Sequence, residues 1–156
     1  MSKVNFAATR LVNPPGTATR LTQAQLWKGL WLKVREPQNF NSHISSCSII
    51  HESENKITRA LSIGNGAPVK EDIELGEPTI VYFDSMPAET HIVNIISYDE
   101  KNELMLTFSF VGGVPGYAAG SEEPSAEDLN QVVGNGVQTT INRIRELVER
   151  GELSSS

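Results

Sequence analysis

One cysteine stands in 156 residues, so this chain cannot staple itself with an internal disulfide. Cys47 also has no second thiol and no neighbouring metal-ligand pattern, and it reads as a half-buried small residue in a reducing compartment. Basic charge is in deficit too: 13 Lys and Arg are set against 19 Asp and Glu, a formal net charge of −6. Nucleic acid is therefore not an expected partner, because a phosphate backbone calls for clustered Lys and Arg. Long apolar runs are missing. Nothing approaches the ~20 residues that cross a bilayer, and the opening MSKVNFAATR has no apolar secretory segment, so a cytoplasmic protein without membrane insertion is expected.

Motifs for chemistry are as scarce. His43, His51 and His91 lie far apart in the chain, without the close pairing that marks a zinc site. There is no Gly-x-Ser-x-Gly elbow for a nucleophile. Gly134 and Gly136 come about two turns into a helical pattern, whereas a phosphate-binding loop lies between a strand and the start of a helix. No metal, cofactor or nucleophile is expected on these grounds, and no catalytic residue can be named.

What is present is an ordinary globular composition, 38% hydrophobic and 21% charged, with both signs spread along the chain. It suits one domain over residues 1–156, with 152–156 as a frayed tail. A partly alternating first segment stops at NPPG, where two prolines end strand pairing. Thr22 and Gln25 have the spacing of a capping box, and Leu21 and Leu26 that of a hydrophobic staple, so a helix starts at Thr22. It carries Trp27, Leu30, Trp31 and Val34 on one stripe and stops near Arg35, ahead of Pro37. From Ser45 to Phe110, short runs rich in Ile, Val, Leu and Thr alternate with turn clusters, which predicts six further strands. A Gly- and Pro-rich passage follows. The last helix begins near 124–126, with Glu122 and Glu123 at its positive end, and runs to Gly151 as the C′ residue.

Register decides what the sheet presents inward. A two-residue Asn65-Gly66 turn would put Ile57, Leu61 and Ile63 opposite Asp72, Lys70 and Pro68. A three-residue loop instead pairs Ile57 with Ile73, Arg59 with Glu71 and Leu61 with Val69, and is preferred because it keeps the apolar set together. Arg59 and Glu71 then share the apolar concave face. Either their heads reach the wet rim of the sheet, or they form a polar fixture that orients a ligand inside a cavity. Asn94 faces inward or outward according to the length of the loop at YDEKN, and Phe108 belongs to an inward alternation with Leu104, Leu106 and Phe110.

On the last helix, Leu129, Val132, Val133, Val137, Ile141, Ile144, Leu147 and Val148 form a stripe. At ~100° per residue, Gly136 falls roughly 60° and Thr140 roughly 20° from its centre, with Gly134 near the far edge. Gly136 and Thr140 are thus expected to look inward and leave space there, so that Gly136→Leu would shrink a cavity.

The blocks LVNPPG, LTQAQLWKGLWLKVREPQNF, VKEDIEL, VNIIS, LMLTFSF and GSEEPS…TTINRIRELVERGEL resemble, in that order, the AtaL-like family, long known as a domain of unknown function. That family is placed in the SRPBCC superfamily of START-like, pollen-allergen-like helix-grip proteins. The resemblance implies an α+β helix-grip fold: a seven-stranded curved antiparallel sheet around a long C-terminal helix, with two short helices after strand 1 and a hydrophobic cavity between sheet and helix. The superfamily contains lipid and hormone carriers as well as polyketide cyclases and aromatases, and fold alone does not choose among them. The primary expectation is binding of a small hydrophobic or aromatic molecule, with Trp31, Arg59, Glu71, Asn94, Phe108, Gly136 and Thr140 as its wall. The alternative is a cyclase or aromatase acting in the same cavity, with Arg59 polarising a carbonyl and Glu71 moving a proton. A third is an interaction protein whose cavity is filled by side chains. A cavity below ~300 Å³ would count against both ligand readings.

Overall fold

The computed structural model describes residues 4–117 and 123–153. Glu122 and residues 154–156 of the expected tail lie outside these. Seven strands form one sheet: β1 (Phe6–Leu11), β2 (Ile44–Glu52), β3 (Lys56–Ile63), β4 (Val69–Gly76), β5 (Ile80–Met86), β6 (Thr90–Tyr98) and β7 (Leu104–Val111). Their order is β1-β7-β6-β5-β4-β3-β2, and every neighbouring pair is antiparallel. Between β1 and β2 come helix α1 (Gln23–Arg35) and one 3-10 turn (Pro37–Asn39), which takes the place of the second short helix. Helix α2 (Ala126–Glu149) closes the chain against the sheet.

Local chemistry explains these boundaries. Thr22 accepts the Gln25 backbone N–H at 3.1 Å, and Gln25 Oε1 accepts the Thr22 N–H at 2.9 Å, so the capping box is formed in both directions. Leu21 and Leu26 of the staple are both buried. At the far end of α2, Gly151 adopts a φ of 73°, the left-handed C′ conformation, while the Glu152 N–H reaches back to Leu147 O. The β3–β4 register pairs Ile57 with Ile73, Arg59 with Glu71 and Leu61 with Val69, as the longer loop requires.

α2 buries Leu129, Val133, Val137, Ile141, Ile144 and Leu147. Six such side chains contribute on the order of 10–15 kcal/mol as an upper bound. Gly29 of α1 makes the α1–α2 approach possible, because a Cβ there would collide with the Ile144 side chain. Arg145 ties α2 to the segment joining β1 and α1: its Nε donates to Thr19 O at 2.9 Å, and Nη2 donates to Val12 O.

Two faces differ from expectation. On α2, Val132 is 41% exposed, and Gly136 faces water, with no atom within 4 Å of the place a Cβ would take, while Gly134 is the buried glycine. Removing Val132 from the stripe rotates its centre by roughly 15° and leaves both glycines about equally far from it. What then decides is Arg10 of β1, whose guanidinium occupies the place of a Gly134 Cβ. On α1, Trp31 is also 41% exposed. The buried set there includes Leu26 as well as Leu30 and Val34, which turns the inward face by roughly 50–70° away from Trp31 and brings Lys33 toward it.

Candidate functional site

Across β3 to β7 the inward side chains fall into rows. One row is polar: Arg59 is opposite Glu71, Glu71 opposite Ser85, and Ser85 opposite Thr90. The next is apolar, running through Ile57, Ile73, Phe83, Ile92 and Phe110. A third places Asn94 between Val81 and Phe108. Asn94 therefore points inward and is only 1% exposed.

The Arg59–Glu71 pair does not reach a wet rim. Both residues are buried, with Arg59 Nε and Nη2 donating to Glu71 Oε1 at 2.9 and 2.6 Å. Arg59 Nη1 donates to Val34 O at 2.5 Å and to Lys33 O at 3.3 Å. These are carbonyls of the last turn of α1, which lack intrahelical partners and favour a cation. Ser85 donates its hydroxyl to Glu71 Oε2. Arg59 is thus a strut from the sheet to the end of α1, and all three of its guanidinium nitrogens are engaged. Burying such a pair is tolerable because the charges meet with good geometry and the remaining lone pairs and protons are used.

Lys33 stands beside this pair. Its Nζ donates to Asn94 Oδ1 at 3.1 Å and lies 5.3 and 4.8 Å from the ring centres of Phe83 and Phe108. Burial, reinforced by the Arg59 charge and partly opposed by Glu71, lowers the amine to about 8. The Cys47 thiol is pushed up, chiefly by burial.

A cleft of about 420 Å³ opens over the polar row. Glu71 and Ser85 belong to its wall, with Leu61, Ile63 and Val69 from the β3–β4 hairpin, Ile92 and Phe110 from the sheet, and Val114 and Tyr117 from the segment after β7. Its size lies within the ~300–1,000 Å³ of small-molecule pockets. A second hollow of about 460 Å³ lies elsewhere, bounded by Trp27, Trp31, Glu54, Asn55, Leu75 and Glu77. Among the described residues no group of His, Cys, Asp and Glu side chains is placed to hold a metal, and no helix is long and apolar enough to cross a membrane.

Of the residues named from sequence, Glu71 walls the cleft, Arg59 braces Glu71, and Asn94 and Phe108 lie deeper on the same concave face. Trp31 belongs to the second hollow, where the Arg35 guanidinium covers its ring at 4.3 Å. Gly136 is outside altogether. Thr140 is buried, but its hydroxyl donates to Gly136 O at 2.9 Å within the helix. Sequence reading missed Lys33 and Ser85. Lys33 could have been found by following the staple residue down the helix, since Leu26, Leu30 and Lys33 stand at i, i+4 and i+7. For Ser85, only its strand pairing with Glu71 marks it out.

The family model described as acetylaranotin biosynthesis cluster protein L, AtaL, matches residues 6–151. The chain belongs to the AtaL family. No curated protein matches it by sequence. Solved structures share the helix-grip fold with this AtaL-family chain. The di-domain aromatase/cyclase StfQ of the steffimycin biosynthetic pathway is 10% identical with a TM-score of 0.67, over 96% of this chain and 52% of that one. This chain thus spans about half of StfQ. The Zhui aromatase/cyclase from Streptomyces sp. R1128 is 15% identical with a TM-score of 0.54, over 94% of this chain and 93% of that one. Ara h 8.0201 is 14% identical with a TM-score of 0.56, over 94% and 98%. At these identities the likeness is one of fold.

Proposed function

We propose that this AtaL-family protein binds a small apolar or aromatic molecule in the cleft over β3 to β7. The observation that carries this reading is the cleft of about 420 Å³, with an apolar wall and only Glu71 and Ser85 as buried polar residues on its inner side. Many apolar contacts with a few placed polar groups are what a small-molecule site needs, since the first supply affinity and the second supply orientation. Arg59 acts in this reading by holding Glu71 in place. Asn94 and Phe108 would meet a ligand that reaches deeper, whereas Trp31 and Gly136 would not touch it.

A second reading is a cyclase or aromatase reaction in the same cleft, supported by Glu71 on the cleft wall with Oε2 against the Ser85 hydroxyl. Glu71 would move the proton. Arg59 is the weaker half of that idea, because its nitrogens already serve Glu71 and the end of α1. Turnover of small polyketide-like substrates that is lost in Glu71→Gln would support an enzyme.

The test of binding is a titration with Nile red, a neutral apolar dye. Saturable one-to-one uptake is expected for the wild type. Thr90→Trp, which fills the cleft wall, should lose at least about tenfold in affinity while keeping the native circular dichroism spectrum. Equal uptake by both would overturn the assignment of the cleft.

A further inference from the structure

The interior charges around α1 do not balance. Arg59 and Glu71 neutralise one another through paired hydrogen bonds. Lys33 has no carboxylate of its own among the described residues; its partners are one neutral amide and two aromatic rings. The charged groups that act on it are Arg59 from β3 and Glu71 from β4, already spent on each other. One positive charge is left over at a half-buried position, where ring faces compensate only in part.

An orphan donor lies next to it. An ammonium group cannot accept a hydrogen bond, so the side of Asn94 that meets Lys33 must be the carbonyl, and the amide nitrogen points away. That nitrogen is buried and has no partner, on a residue only 1% exposed. Leaving a buried donor unpaired costs the full desolvation of that group, so native structures rarely do so without a use. The two groups together offer N–H donors and one net positive charge, and among the described residues Asn94 Oδ1 is the one side-chain acceptor set against them.

Position connects them to the cleft. Asn94 is on the same face of β6 as Ile92, which lines the cleft, and two residues along a strand is about 7 Å. A ligand with its apolar body against Ile92 and Phe110 would carry a terminal group across that distance. We propose that the ligand of this cleft bears an acidic oxygen, a carboxylate or the anion of a phenol or enol, and that Lys33 Nζ and Asn94 Nδ2 receive it. This rests on the assignment of the cleft made above and adds the charge of what enters it.

Calorimetric titration with naphthoate, methyl naphthoate, naphthol and methoxynaphthalene separates the outcomes. One acid, naphthoate or naphthol, is expected to bind at least about tenfold more tightly than its methylated counterpart, and which one does so tells carboxylate from phenolate. Lys33→Met should remove that preference, bringing the acid and its methylated counterpart to within about twofold of each other. Asn94→Asp supplies the missing counter-charge from within and should abolish the preference too, which keeps the test decisive if Lys33→Met folds poorly. If naphthoate is the preferred acid, its binding should weaken as pH rises above about 8, where Lys33 loses its proton. Equal binding of acids and methylated compounds would overturn the charge assignment and leave the cleft standing. Binding of none of the four would overturn both.

Discussion

Two hollows of similar size have opposite characters: helix α1 walls the outer one with Trp27 and Trp31, while the inner cleft is walled by the sheet, the β3–β4 hairpin and the segment after β7. Toward the sheet α1 sends the half-buried Lys33 beside Arg59 and Glu71, which are buried and can exist there only as a pair. Toward solvent it shows Trp31, covered by Arg35, which in turn meets Glu52 at the surface. Glu54 and Glu77 in the outer hollow are exposed and hydrated. Volume therefore does not distinguish the two. What does is whether water can supply a missing partner, since a group that water satisfies places no demand on a ligand. Helix α2 repeats the contrast: Gly134 meets Arg10, and Gly136, two residues on, meets solvent.

The largest break in this comparison comes from removing one buried charge. Glu71→Ala should destabilise the protein by about 3–5 kcal/mol in urea denaturation, because Arg59 is left uncompensated, while Glu54→Ala in the outer hollow should change stability by less than about 0.5 kcal/mol. Similar losses from the two would mean that the inner pair is solvated.

The effect of pH comes next. Lys33 has a folded-state value of about 8 against an ordinary 10.5, so between these values the unfolded chain holds a proton that the native protein has released. Stability contributed by this group therefore rises as pH rises from 8 to 10.5. Compared with Lys33→Met over that window, the wild type should gain on the order of 2 kcal/mol once partial exposure is allowed for. A flat difference would place the amine in water.

The smallest effect separates the two glycines. Gly134→Ala should cost about 1 kcal/mol, because its Cβ displaces the Arg10 guanidinium from Asn130. Gly136→Ala should gain up to about 1 kcal/mol, since it meets open space in a helix interior. A thermal shift of the same sign for both would remove the distinction.

The fold was legible in the sequence because its signals are local or periodic. Thr22 and Gln25 lie within one turn of each other, strand alternation repeats every second residue, and the β3–β4 register follows from keeping Ile57, Leu61, Val69 and Ile73 on one face. The pairing of Arg59 with Glu71 follows from that same register. Side-chain facing on the helices was less legible. A helical wheel locates a stripe to within about one residue: including Val132 favours Gly136 where the wheel without it leaves Gly134 and Gly136 level, and including Trp31 hides Lys33.

The chain by itself therefore determined the seven strands, the first helix and the long last one, the facing of Arg59 and Glu71 across β3 and β4, and the kinship with the AtaL family, since each is written in neighbouring residues or in short repeats. Only the tertiary structure decided that Arg59 would cap α1, that Lys33 would meet Asn94, and that Trp31 would stay outside. Those outcomes depend on the rotation of each helix against the sheet, which is set by contacts between residues far apart in sequence, such as Gly29 with Ile144 and Gly134 with Arg10.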